Sequence, residues 1–417
     1  MKKQINKFLS DLVINKVLNN DLFGANLINL IYNQLFSLKS SVIKLIPISS
    51  IRTQENIIIE TTQTLYGLNV YDNPLPQKVV NTAVIGFNEI KNCWVNCNSP
   101  IVVQSKNGYY QNYNLSTPFD MFNIVGGGVK AHGKKLAWWR KPINPLLIEI
   151  GILLNGSYIT NWYHWQIEIL SKVSLLSHLP SKYQNYPLLV SSSITNSKNH
   201  LELLKLAAPN KKIIALPDDT SHKVQSCIFI DSPVIAPPAF KEKGKVEQIG
   251  DHTIVKSLLI EYRNEVIKNS SKSTTKKYYP EKIFLLRKQT RRKYNQEEIY
   301  QSFNKLGFEG VYFDDLEVNE QVNIINNAKY IIGPVGAAWA NIIYAKPGTQ
   351  CLYWTASFIK EGIPFSNLAG NLDVDLMVVH FDVEPEIFFS NEKSHHVPTD
   401  LIMQAYLTHV KNNDSSN

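Results

Sequence analysis

Between residues 283 and 354, short apolar runs alternate with segments of helical spacing, and few folds accommodate that alternation. Ile283-Phe284-Leu285-Leu286 reads as a strand ending on Arg287, and residues 296–306 have apolar positions at helical spacing. Gly307-Phe308-Glu309-Gly310 predicts a turn, and 311–313 a second short strand ending at Asp314-Asp315. Residues 318–328 read as a helix, with Asn319 as its cap and Glu320 in its first turn. Tyr330-Ile331-Ile332 reads as a third strand, and 350–354, after the Pro347-Gly348 break, as a fourth. Strands separated by helices of this length predict a parallel sheet with crossover helices. Ligands of such sheets sit at the carboxyl ends of the strands. Arg287, Asp314 and the turn 333–338 all fall at those ends.

That turn carries a chemistry of its own. Gly333-Pro334 ends a strand, and Gly336-Ala337-Ala338 opens a helix. A helix N-terminus presents unpaired N–H groups and positive dipole, and small side chains let a phosphate approach the backbone. The same small residues also serve simply to pack helix on strand, and the turn alone leaves both readings open. Arg287, Arg291 and Arg292 supply guanidinium groups suited to a diphosphate, while a solvated basic loop with Lys293 is the plainer reading for at least one of them. Glu320 and Asn341 are candidates for a ribose or base; Glu320 equally suits its own helix N-terminus.

An α/β pattern also begins at Leu146. Residues 146–154, 186–191, 212–216 and 224–230 read as strands, and 162–179 and 201–206 as helices. His164 and Glu168, four apart, share a helix face, and Asn161 is placed to cap that helix. A carboxylate on one imidazole nitrogen makes the other a better base. Packing of His164 with Trp162 and Trp165 is the competing reading; His132 is the next candidate base.

These segments resemble glycosyltransferase family 61. The likeness is carried by Leu285-Leu286-Arg287, Arg291-Arg292, Asn295-x-Glu297-Glu298, Leu306-Gly307-Phe308, Glu320-Gln321-Val322 and Gly333-Pro334-x-Gly336-Ala337-x-x-x-Asn341 followed by Pro347-Gly348. A second block, Tyr163-His164-Trp165-x-x-Glu168, is similar to the family's Tyr-His-Trp-x-x-Asp. The resemblance implies a GT-B type α/β fold: two Rossmann-like domains facing a cleft, here with an N-terminal helical and β-hairpin extension. With helices read from spacing at both ends and domain roles taken from the resemblance, the chain divides into amphipathic helices (1–60), an acceptor domain (61–240), a nucleotide-sugar domain (241–395) and a C-terminal helix and tail (396–417). It implies inverting transfer from a nucleotide sugar, UDP-linked, to a glycan or lipid-linked glycan in surface polysaccharide synthesis, capsule or lipopolysaccharide. His164 and Glu168 would be catalytic; Arg287, Arg291, Arg292, Glu320, Gly333, Pro334, Val335, Gly336, Ala337, Ala338 and Asn341 would bind the donor. Two positions depart from the pattern: Val335 stands where the family has His, and Glu168 where it has Asp. The first departure supports an alternative, a non-catalytic glycan- or nucleotide-binding protein derived from the fold.

Charge and cysteines narrow the setting. Lys and Arg (43) exceed Asp and Glu (35), a formal +8 that suits donor phosphates or an anionic surface. Zinc spacings, helix-turn-helix and RNP motifs are missing, so no nucleic-acid partner is expected. Four scattered cysteines (Cys93, Cys97, Cys227, Cys351) read as reduced thiols. Asp373-Val374-Asp375 has a metal-binding spacing but lies away from the glycine turn, and no metal or other cofactor is expected. Residues 1–50 have apolar positions at helical spacing without a run of spanning length. The expected location is cytoplasmic, with peripheral contact at an inner membrane face left open.

Overall fold

The computed structural model describes residues 18, 24–27, 29–30, 33, 40–59, 62–65, 70–71, 78–81, 84–111, 124, 126–235, 252–272, 278–288, 292–359 and 363–414. Most of the stretch read as N-terminal helices, and Arg291, lie outside the described residues. Two compact units divide the chain: Met1–Thr61 with Asn81–Asp251, and Thr62–Val80 with His252–Asn417.

The first unit is built on one 11-stranded mixed sheet. Its strands are β1 (Ser40–Pro47), β2 (Ile57–Ile59), β3 (Ile85–Val95), β4 (Ile101–Gln104), β5 (Asn107–Tyr110), β6 (Val129–His132), β7 (Leu136–Arg140), β8 (Leu147–Leu153), β9 (Leu188–Ser191), β10 (Ile213–Leu216) and β11 (His222–Ile230). The order is β10-β9-β8-β11-β3-β4-β5-β1-β7-β6, with β2 on β3. Strands β10, β9, β8 and β11 run parallel, and β11 meets β3 antiparallel. The expected hairpin extension is therefore not a separate layer. It continues the parallel strands sideways into the same sheet, since β11 offers β3 the edge it would otherwise expose. Ser40–Pro47 is a strand, although helical spacing was read over 1–50. Its register with β7 sets Val42 opposite Trp138 and Ile43 opposite Ala137, all buried.

The second unit has a five-stranded sheet: β12 (Lys282–Leu285), β13 (Glu309–Val311), β14 (Tyr330–Pro334), β15 (Gln350–Ala356) and β16 (Asp375–Phe381). Their order is β13-β12-β14-β15-β16, every pairing parallel. Helices Gln296–Asn304, Val318–Asn327 and Ala337–Tyr344 connect successive strands, as the spacing predicts. Phe284, Ile332, Leu352, Trp354 and Val379 from the sheet pack with Phe303 of helix Gln296–Asn304 and Ile402 of helix Thr399–Asp414, which explains the unbroken apolar runs.

Two local expectations shift. The second strand starts at Glu309, two residues early, because Gly310 is a packing residue rather than a turn. A Cβ there would lie 2.6 Å from Leu286 Cδ1; Gly307, at φ +84°, does the turning. Asn319 lies inside its helix, whose N-cap position is Glu317. All four cysteines are buried and unbridged. Among the described residues no helix is long and apolar enough to cross a membrane.

Candidate active site

In the first unit the parallel strands read, in chain order, 3-2-1-4, so the connection reverses direction between β8 and β11. Loops leaving adjacent strands to opposite sides open a crevice at their carboxyl ends. The helix after β8 begins there. Asn161 Oδ1 accepts the N–H of Tyr163 at 3.0 Å and of His164 at 3.4 Å, the cap expected of it. His164–Ile169 form a π-helical turn, continued by a 3-10 helix over Leu170–His178. The wide turn accommodates Ile169, which presses on Gly156 so closely that a Cβ there would lie 2.6 Å from Ile169 Cγ1.

His164 Nδ1 lies 2.7 Å from Glu168 Oε2, with the two side chains 29% and 18% exposed. The pair is thus half-sheltered but reachable. A carboxylate accepts only, so Nδ1 carries the hydrogen and Nε2 keeps its lone pair. Burial pulls the His164 pKa down, while the Glu168 charge and hydrogen bond push it up and prevail; the net shift is upward. Tyr158, its ring 5.5 Å away, covers one side of the imidazole. Ser232 Oγ, just past the end of β11, donates to the Glu168 carbonyl at 2.6 Å and anchors the helix.

Behind Glu168 is a cavity of about 40 Å³ lined by Gln111, Asn155, Lys172, Phe229 and Ser232, among others. Lys172 is buried, its Nζ donating to Asn155 O at 2.8 Å and Oδ1 at 3.1 Å, and burial pulls its pKa down to about 8. Sequence reasoning missed it, although His164, Glu168 and Lys172 recur every four residues. Nearby, Arg52 and Asp231 form an ion pair at 2.6 Å, each 3% exposed. His132 is not available as a base: it is fully buried, Nε2 accepting from Ile124 N at 3.3 Å and Nδ1 facing Gly133 O at 3.2 Å.

The second unit repeats the device. Its chain order is 2-1-3-4-5, with the reversal between β12 and β14. Arg287 follows β12, and Val335 follows β14. The Arg287 guanidinium donates to Val335 O. Gly336 makes the approach feasible, since a Cβ there would lie 2.7 Å from Arg287 Nη2. Gln296, unnoticed in the sequence, grips the Arg287 backbone: its Oε1 accepts Arg287 N–H at 2.7 Å and its Nε2 donates to Arg287 O at 3.1 Å.

Gly333 and Pro334 are buried, and Val335 to Ala338 are half-buried. The Val335 N–H is spent on Trp354 O at 3.0 Å, so it does not serve an anion. In the 3-10 helix Ala337–Tyr344, the ladder starts with Trp339 N–H on Gly336 O at 3.1 Å; the amides of Gly336, Ala337 and Ala338 precede it. Asn341 is buried, donating to Gln321 Oε1 at 3.1 Å, and ties two helices together. Glu320 lies half-buried in the first turn of Val318–Asn327. Arg292 lies over Phe388 and Phe389, 5.1 and 5.2 Å from their ring centres. Asp375 begins β16, so Asp373 and Asp375 are at the amino edge of the sheet, opposite the end that carries Arg287. Asp373 pairs there with Lys256 at 3.1 Å. Among the described residues, no three His, Cys, Asp or Glu side chains are grouped to hold a metal.

Residues 162–352 match the family model described as Glycosyltransferase 61. No curated protein matches the chain.

Proposed function

The chain carries a glycosyltransferase family 61 domain, and from that premise we propose that it transfers a sugar from a nucleotide sugar to a glycan hydroxyl with inversion, using His164 as the base. The acceptor oxygen attacks the anomeric carbon as its bond to the diphosphate breaks, and the acceptor proton passes to His164 Nε2. Glu168 orients the imidazole and offsets the charge it gains. The leaving diphosphate meets the Arg287 guanidinium and the amides of Gly336, Ala337 and Ala338, so that its charge develops against fixed donors. Arg292, Glu320 and Gly333–Pro334 shape the same end of the second sheet. The donor is UDP-linked and the product a surface polysaccharide of capsule or lipopolysaccharide type, as the family likeness implies; the excess of positive charge favours an anionic or lipid-linked acceptor.

The observation that carries this reading is the His164–Glu168 contact of 2.7 Å at the start of the helix after β8. The test begins with a screen of nucleotide sugars for protection against thermal unfolding, where a ligand at a hundred times its Kd adds about 2.7 kcal/mol. The hit is then assayed for turnover, with EDTA present. We expect turnover to survive chelation and His164→Ala to abolish about 99% or more of it while leaving donor affinity intact. Donor binding without turnover by the wild-type chain would instead establish the non-catalytic binding protein, for which Val335 is the motive.

A further inference from the structure

The loop that joins β7 to β8 leaves three large aliphatic side chains in water. Ile143 is 62% exposed, Leu146 44% and Leu147 80%. Exposed aliphatic residues scattered singly are ordinary, but three within five residues form a patch. Both ends of the loop are fastened to one place, the start of β11. Arg140 N–H donates to Gly128 O at 2.8 Å, and Ser221 Oγ, one residue before β11, donates to Gly127 O at 2.8 Å. Leu146 N–H donates to His222 Nδ1 at 3.2 Å, and its carbonyl accepts from Lys223 N–H at 2.9 Å. Between these anchors Pro142 and Pro145 have their φ fixed by the ring, and Asn144 takes a left-handed φ of +51°. The aliphatic residues are thus held out of the core by a defined backbone.

Cations border the patch. Arg140 and Lys141 are exposed where the loop begins, and Lys130 is exposed in β6, the strand paired with β7. Lys223 stands opposite Leu147 in register; its Nζ lies 4.9 Å from the centre of the half-buried Trp94 ring and donates to Asn92 O at 2.6 Å. Against these four cations stand two exposed acids, Glu149 in β8 and Asp219 ahead of Ser221. A bilayer with anionic headgroups matches both halves of this surface. Its negative potential attracts the cations, and its headgroup–acyl boundary takes aliphatic side chains out of water. A nucleic acid would use only the charge. A second copy on a two-fold axis would set the patch against itself, cation facing cation.

We infer that the loop Arg140–Leu147 is a membrane-contact surface that seats the first unit on anionic lipid, Ile143, Leu146 and Leu147 entering the headgroup–acyl boundary while Arg140 and Lys141 meet lipid phosphates. The inference stands apart from the sugar-transfer reading, since it needs neither His164 nor Arg287. It calls for contact at one face of a bilayer rather than a spanning segment.

The test is flotation of the whole chain with vesicles of phosphatidylcholine, with and without phosphatidylglycerol, at low and high salt. The wild type should float with the phosphatidylglycerol vesicles only, and less at high salt. Ile143→Ser with Leu147→Ser should lower the partition coefficient by about ten-fold or more, the worth of burying one or two aliphatic side chains. Arg140→Gln with Lys141→Gln should weaken binding and flatten its salt dependence. All four positions are exposed, so circular dichroism and thermal unfolding should match the wild type; Lys305→Ala, in the second unit, should bind like it. Failure of the wild type to float overturns the inference, as does equal binding to vesicles without phosphatidylglycerol. Undiminished flotation of the Ile143/Leu147 variant also overturns it and assigns lipid binding to another part of the chain. A wild type that is dimeric in solution, becomes monomeric in that variant and ignores vesicles would make the loop an interface between copies instead.

Discussion

Replacing Glu168 with Gln tests the centre of the mechanism, because it keeps the shape and removes the charge. In the proposed mechanism, the imidazole would take the acceptor proton and become an ion next to a carboxylate 2.7 Å away. Two unit charges about 4 Å apart attract by about 4 kcal/mol at an effective dielectric constant of 20. The pair remains 29% and 18% exposed, so solvent screening removes part of that attraction. About 2 kcal/mol is a reasonable remainder, or roughly thirty-fold in kcat. The pH profile should also move. Glu168 supplies both effects that raise the His164 pKa, and burial alone would lower it. The ascending limb of kcat/KM should therefore lie above the ordinary imidazole value in the wild type and shift to lower pH in Glu168→Gln. It follows that the variant's deficit is largest on the alkaline plateau and shrinks as the pH falls. Steady-state transfer across pH, with NMR titration of His164 as a direct check, measures both. A loss of equal size at every pH, with an unmoved limb, would refute the base assignment and make Glu168 a structural residue.

Arg287→Ala should weaken nucleoside-diphosphate binding by about ten- to a hundred-fold, the worth of a hydrogen bond to a charged group, while Lys305→Ala leaves it unchanged; calorimetric titration decides. Gly336→Ala should weaken it in the same direction, because the new Cβ would overlap Arg287 Nη2. Arg52→Met should cost about 3–5 kcal/mol of unfolding free energy by leaving the Asp231 carboxylate buried and unpaired, which urea denaturation would read; a loss below 1 kcal/mol would mean that Asp231 is rescued by water.

The second sheet was legible because a fully buried parallel strand advertises itself. Ile283-Phe284-Leu285 and Tyr330-Ile331-Ile332 are apolar without alternation, and their glycines and helices recur at short range. Likewise, Asn161, His164 and Glu168 interact within one helix turn, so spacing suffices to find them. Gly310 misled because a glycine reserved for a neighbour's side chain looks the same in sequence as one that turns the chain. The spent amide of Val335 depends on Trp354, in the next strand, and the place of Ser40–Pro47 depends on Trp138 and Ala137 almost a hundred residues away. Gln296 was missed for the same reason: what distinguishes it is a partner that only the folded chain brings near.

The Arg52–Asp231 ion pair and the position of β8 bear on how the chain can be dissected. The stretch recognisable by family, 162–352, begins after β8, the strand between β9 and β11, and ends within β15. Cut to that stretch, the first unit would lose its central strand, and the carboxylate at the end of β11 would lose the arginine that neutralises it. The second would lose β16 and the helix that closes its aromatic core. What is readable as a domain is thus not a unit of folding. Protection from hydrogen exchange should spread from β3 and β8 through the whole first sheet, and proteolysis should release no stable fragment with the boundaries of the recognisable stretch.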